Sequence, residues 1–224
     1  MPLIVILVEC GMELIPKEIR KHSAVRKNLS SQIYASQILD NALHHSAMKN
    51  LKNSEKRGRP DITHLCLLNA LGSTLNKTGN LSLFIHTINN KIYEFNPEIR
   101  IARNYNRFKG LMAKTLIDGN INVNGKQLIS QFAGKLPDLI NKFKNPEIIL
   151  FSSRGKLVND YKDLFSEALI KNIIAIIGGF QKGTFSDELL GLSKNLISIS
   201  NYSLDACVVV SKIINFYELS HNII

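Results

Sequence analysis

The chain has 224 residues, enough to bury a substantial core in one large domain, and its 45% hydrophobic content is that of a globular protein rather than a disordered one. Twenty-eight Lys and Arg against 18 Asp and Glu give a formal net charge of +10, a balance that favours a nucleic-acid or other polyanionic partner, although basic proteins are common. No run approaches roughly 18 consecutive apolar residues, so no membrane span is expected, and Cys10, Cys66 and Cys207, with no Cys-x-x-Cys among them, read as reduced thiols of a cytoplasmic protein without a zinc site.

Leu3 to Val8, rich in β-branched residues, predicts a buried central strand ended by Glu9-Cys10-Gly11. The apolar stretch Pro2 to Val8 is too short for the core and cleavage site of a signal peptide. Pro16 to Ser30 is polar and basic, with Lys17, Arg20, Lys21, Arg26 and Lys27, and reads as a short helix with a solvated face in preference to a phosphate track. Leu39, Leu43, Ala47 and Leu51 make one helical stripe. The adjacent His44 and His45 point about 100° apart on such a helix, so they converge poorly on a metal. Asn53 to Pro60 is a basic loop in which Pro60 holds Arg59 extended. Asp61 then lies on the same side as Arg59 and can fix its guanidinium; equally, it can cap the buried helix that Thr63 to Leu71 predicts.

Leu81 to His86 and Lys91 to Phe95 flank Thr87-Ile-Asn-Asn90 as a hairpin. Arg100, Arg103 and Arg107 follow at spacings of three and four, with Tyr105 and Phe108 interleaved, before a helix from about Phe108 to Ile117. A helical or turn-like segment with those spacings shows three guanidiniums on one side, which suits an RNA backbone with aromatics for base stacking; the alternative is a plain surface face. Asn120 to Asn145, with amphipathic character at Leu128, Phe132, Leu136 and Ile140, reads as a connector. A strand from Ile148 to Phe151 and a helix from Asp160 to Ile170 come next.

Ile173 to Ile177 predicts a strand covered on both faces, running into Gly178, Gly179 and Gly183, which permit positive φ and close backbone approach. The bend lacks both G-x-G-x-x-G and G-K-[ST], which argues against NAD and nucleoside triphosphates and leaves a mere turn as the alternative. Leu196 to Ile199 is a short strand, and Ser203 is the expected N-cap of an apolar helix, Leu204 to Leu219, buried in the monomer or at a subunit contact. With Ile148 to Gly155, three strand ends open into Ser- or Gly-bearing loops that can enclose one ligand.

The sequences Lys-Arg-Gly-Arg-Pro-Asp-Ile at Lys56 to Ile62, Ile-Arg-Ile-Ala-Arg-Asn-Tyr-Asn-Arg-Phe-Lys-Gly-Leu-Met at Ile99 to Met112, Ile-Gly-Gly-Phe at Ile177 to Phe180, and Ile-Ser-Ile-Ser-Asn-Tyr-Ser-Leu-Asp-Ala at Ile197 to Ala206 resemble the ribosome-biogenesis pseudouridine N1-methyltransferases of the SPOUT class. The resemblance spans about residues 40 to 218 and implies a single α/β domain over 1–224: a Rossmann-like, mostly parallel sheet with a C-terminal trefoil knot and family-specific insertions. It implies RNA-binding elements at about 53–62 and 98–112 and a cofactor region at about 148–219. By it, Arg59, Arg100, Arg103 and Arg107 contact small-subunit ribosomal RNA, with Asp61 positioning Arg59. Ile177, Gly178, Gly183, Thr184, Phe185, Ile197, Ser198, Ile199, Ser200, Asn201, Tyr202 and Leu204 hold S-adenosylmethionine. It also implies a homodimer and dealings with ribosomal assembly proteins. Ser203 stands where a proline is common in the family, and Cys207 where a Trp or other large residue is usual.

Such chemistry asks little of side chains, because the cofactor carries an activated methyl and the protein supplies orientation and the loss of one proton. Asp61 is a candidate proton acceptor, although holding Arg59 suits it better. Nothing resembles a nucleophilic triad. The competing readings are a noncatalytic RNA-binding assembly factor, separable by cofactor binding, and a transfer-RNA methyltransferase, which the Arg-Pro-Asp and Arg-Asn-Tyr-Asn-Arg-Phe segments disfavour.

Overall fold

The computed structural model describes residues 2–158, 160–165 and 171–223. Among these, eight strands form one sheet: β1 (Leu3–Cys10), β2 (Leu81–Thr87), β3 (Ile92–Phe95), β4 (Ile121–Val123), β5 (Lys126–Phe132), β6 (Glu147–Leu157), β7 (Ile173–Gly178) and β8 (Leu196–Ser198). Their order across the sheet is β4-β5-β3-β2-β1-β7-β6-β8. The part from β2 through β1, β7 and β6 to β8 is parallel, and β3, β5 and β4 extend it antiparallel.

The apolar run of β1 puts it in the interior of the sheet, as expected. Leu3 to Val8 are all fully buried; Leu3, Val5 and Leu7 face one core and Ile4, Ile6 and Val8 the other, the period-two alternation of a strand covered on both sides. Each such side chain contributes about 1.5–3 kcal/mol by leaving water. The helices are α1 (Ser23–Arg26), α2 (Asn41–Met48), α3 (Pro60–Gly72), α4 (Thr74–Lys77), α5 (Tyr105–Asp118), α6 (Leu136–Ile140), α7 (Tyr161–Leu164), α8 (Asp187–Leu190) and α9 (Ala206–Ser220). The larger core packs α3, α5 and α9 on one face of the sheet, and the smaller one packs α6 and α8 on the other. Residues 15–51 fold over a satellite core of Ile15, Val25, Leu39, Ala47 and Met48. No helix among the described residues is long and apolar enough to cross a membrane.

Several local expectations need correction. Leu43 is 44% exposed, and α2 turns His44, Ala47 and Met48 inward instead, because Asp40 caps the helix and sets its phase. The segment read as a connector is a hairpin, β4 and β5, turned by Asn124 (φ 51°) and Gly125 (φ 78°), and it buries Ile121 and Ile129. The N-cap of α9 is Asp205, not Ser203. Of the helix expected over 160–170, Tyr161–Leu164 is helical and 166–170 lie outside the described residues. Gly178 and Gly179 have no positive φ; only Gly183 does, at 113°.

The parallel edge is unusual. Ile197 of β8 is the register partner of Phe151 and also of Lys156, so β6 bends around β8 and pairs with it on both sides of the bend. Gly155 sits at the crossing, where a Cβ would lie 2.5 Å from both the backbone N and C of Ile197.

Candidate functional site

The middle of β6, where it bends, and the carboxyl ends of β7 and β8 open onto one cleft, as the three loops led one to expect. Ile177, Gly178, Gly183, Thr184, Phe185, Ile197, Ser198, Ile199, Ser200, Tyr202 and Leu204 line it; Asn201 does not. Phe180, the end of the Ile-Gly-Gly-Phe motif, also lines it, as do Phe151, Ser152, Ser153, Gln181 and Val209, which were not assigned to the cofactor. The serines in the bend of β6 and at the end of β8 were the available signal. The last loop is self-braced: Ser198 Oγ donates to Ser200 O at 2.7 Å, and Tyr202 N donates to Ser200 Oγ at 3.0 Å. Tyr202 itself is 79% exposed and stands at the mouth.

The lining suits a nucleoside carrying a polar chain. Phe185, Ile197 and Val209 supply apolar wall, Phe180 meets Phe185 edge-on at 6.1 Å, and the Ser152 and Ser200 hydroxyls with loop backbone supply polar contacts. At Gly178 a Cβ would lie 2.8 Å from the outer edge of the Phe180 ring, so any larger residue there has to displace that ring.

A second group of side chains gathers at the start of α3. Arg59 has φ −122° and ψ 60°, non-helical before Pro60 but short of fully extended, and the bend turns its guanidinium back onto Asp61. Nε donates to Oδ1 at 2.9 Å and Nη2 to Oδ2 at 2.7 Å, a bidentate fork. Burial opposes the Asp61 charge, but the hydrogen bonds and charge of Arg59 outweigh it and hold the carboxyl below the usual carboxylate range. Backbone hydrogen bonds at Asp61 and Ile62, in the first turn of α3, add to the effect of Arg59, so the carboxylate serves both the guanidinium and the helix start.

The arginine segment is docked beside this fork. His64 Nε2 donates to Ala102 O at 2.7 Å, and its ring stacks on Phe108 at 4.2 Å. Tyr105 donates to Asp40 Oδ2 at 3.2 Å, and Lys109 pairs with the same oxygen at 2.8 Å in a buried cluster. Only Arg107 is helical. Arg100 and Arg103 precede α5, whose N-cap Asn104 accepts from Arg107 N, so the three do not form one helical stripe. All three are exposed and carry no ion pair among the described residues. By contrast, Lys56 and Arg57 of the basic loop are committed, to Glu9 and Glu13 at 2.7 and 2.6 Å. Asp205, between the cleft residues Leu204 and Ala206, adds its field to Arg59, so fork and cleft are neighbours.

His44 and His45 diverge. His44 is buried and its Nδ1 accepts from Asp40 N, whereas His45 is exposed and bonds Asn41. Among the described residues no three His, Cys, Asp or Glu converge as metal ligands.

Comparison with known proteins gives a consistent picture. The family model described as EMG1/NEP1 methyltransferase matches residues 5–218. The ribosomal RNA small subunit methyltransferase Nep1 of Staphylothermus marinus is 41% identical, the alignment covering 100% of this chain and 98% of that one. That of Saccharolobus solfataricus is 39% identical over 95% of each. The crystal structure of Archaeoglobus fulgidus Nep1 bound to S-adenosylhomocysteine superimposes with a TM-score of 0.86 at 34% identity, covering 99% of this chain and 100% of that one.

Proposed function

This chain belongs to the EMG1/NEP1 methyltransferase family, and from that premise we propose that it transfers a methyl group from S-adenosylmethionine to N1 of a pseudouridine in small-subunit ribosomal RNA, during assembly of that subunit. The observation that carries the reading is adjacency: a nucleoside-shaped cleft opens beside a carboxylate-held arginine, and the segment bearing three more arginines, exposed and without an ion pair among the described residues, packs on the same helix α3. The adenosine part suits the apolar wall of Phe185, Ile197 and Val209. The amino-acid part suits the backbone and hydroxyls of residues 198–204. The bound cofactor supplies the electrophilic methyl carbon. Arg59, Arg100, Arg103 and Arg107 take RNA phosphates and present the target base to the cleft. Asp61 is a positioning residue, because a carboxylate whose proton affinity is depressed by a bidentate arginine is a poor base.

Two finer points accompany the reading. The bend of β6 around β8, with Gly155 at the crossing, supports a trefoil knot in the C-terminal part. Leu65, Val208 and Leu219 leave apolar surface on the packed pair α3 and α9, which supports a homodimer through these helices.

Two measurements test the assignment. Gly183→Val forces a β-branched residue to φ 113°, a strain of roughly 1–3 kcal/mol that the loop relieves by leaving its place. S-adenosylhomocysteine affinity by calorimetry should fall about tenfold or more; unchanged affinity moves the cofactor elsewhere. For the RNA face, each of Arg59→Ala, Arg100→Ala, Arg103→Ala and Arg107→Ala should lower the salt slope of hairpin binding by roughly 0.7, with Asp61→Ala matching Arg59→Ala. Hairpin affinity that survives all four together rules the surface out.

A further inference from the structure

One buried cation touches both halves of the site. Lys56, 9% exposed, precedes Arg59 in the same loop yet reaches away from it, under the cofactor bend. Its Nζ donates to Glu9 Oε2 at 2.7 Å and stands 4.6 Å from the centre of the Phe180 ring. A Cβ on Gly183 would come within 3.2 Å of Lys56 Cε. The backbone repeats the tie: Arg59 N donates to Gly11 O at 3.1 Å, Gly11 N to Gly179 O at 3.4 Å, and Gly179 N to Val8 O at 2.8 Å.

There is no slack between these segments. A Cβ on Gly11 would sit 2.6 Å from Lys56 O and 3.0 Å from Arg59 N, and one on Gly179 would sit 2.4 Å from Cys10 Sγ. Glu9 itself is held at φ 51°, the left-handed region, at the point where β1 meets the two loops. A shift of Phe180 or of the Gly183 bend therefore bears on Lys56, whose Nζ stands over the Phe180 ring and whose chain passes beside Gly183, and through it on the buried Glu9 pair. Close-packed interiors pass such displacements on instead of absorbing them.

We propose that Lys56 is a positioning residue that couples the cofactor cleft to the Arg59–Asp61 fork, so that the S-adenosyl ligand and RNA each tighten the other's binding. The ligand fixes Phe180 and Gly183, these fix Lys56, and Lys56 fixes the loop that carries Arg59. The proposal rests on the cofactor and RNA assignments above. By linkage the two enhancements are equal, which gives an internal check.

The test measures hairpin affinity by fluorescence anisotropy with and without saturating S-adenosylhomocysteine. The wild-type ratio should be about tenfold, inside the usual range for coupled sites. Lys56→Met alone strands the Glu9 carboxylate, so the Glu9→Gln/Lys56→Met double variant, which removes both charges, guards against loss of the fold. In that variant both ligands should still bind singly while the ratio falls to about one. A wild-type ratio of one, or a double variant that keeps the wild-type ratio, overturns the coupling. Failure of wild-type protein to bind S-adenosylhomocysteine without RNA overturns the cofactor reading, and the coupling with it.

Discussion

A hairpin with pseudouridine at the target position should be methylated, and the same hairpin with uridine there should not. In pseudouridine the glycosidic bond is to carbon, which leaves an N1–H; loss of that proton makes a nitrogen nucleophile, the new N–CH3 bond forms as the sulfonium S–CH3 bond breaks, and a neutral thioether departs. Orientation is then the main requirement. Uridine has its N1 bonded to ribose, so transfer to that base would need either its N3, on another edge of the ring, turned to the methyl, or a ring carbon activated by covalent attack. The thiols are badly placed for it. Burial pushes Cys10 up to about 12 and Cys66 well above the usual thiol range, and Cys207 is not among the cleft residues. Mass spectrometry of digested RNA should place the methyl on the base of the pseudouridine hairpin only. Equal transfer to both hairpins would remove the pseudouridine assignment and leave the methyltransferase reading standing.

The second large effect belongs to Gly155. A single methyl added there lies 2.5 Å from two backbone atoms of Ile197 and 2.7 Å from its Cα, and backbone paired with β6 on both sides of the bend has little room to move. Gly155→Ala should cost about 3 kcal/mol or more in urea unfolding, at the upper end for overpacking. It should also abolish S-adenosylhomocysteine binding, because Ile197 lines the cleft. A variant with the wild-type urea midpoint would show that β6 can leave β8 freely, contrary to the closeness of the crossing.

Strands covered on both faces were easy to read in the sequence, because continuous β-branched runs such as Leu3 to Val8 and Ile173 to Ile177 admit few other placements. The cleft was readable for a related reason: three such strands run into small or hydroxylated residues. The β4–β5 hairpin was missed although Asn124-Gly125 is a strong turn signal, since the four-residue spacing of Leu128, Phe132, Leu136 and Ile140 imitates a helix and hides Ile129. Lys56 and Gly155 were beyond reach. Their importance lies in Glu9, Phe180 and Ile197, which approach them only through the folded sheet, and no local pattern announces such neighbours. Arg57 illustrates the same limit, since nothing local distinguishes it, committed to Glu13, from the free arginines.

The sheet order also dictates a timetable for biosynthesis. β1 can zip onto β2 early, but its other neighbour, β7, begins about 165 residues later, which at about 5–20 residues per second is roughly 8 to 33 seconds of translation. Throughout that interval one long edge of β1 is an open template of unpaired backbone, flanked by Ile4, Ile6 and Val8 without their full cover. The newborn chain is thus most adhesive before the last strands emerge, and the arrival of β7 in the groove beside β1 is the event that closes it to other chains.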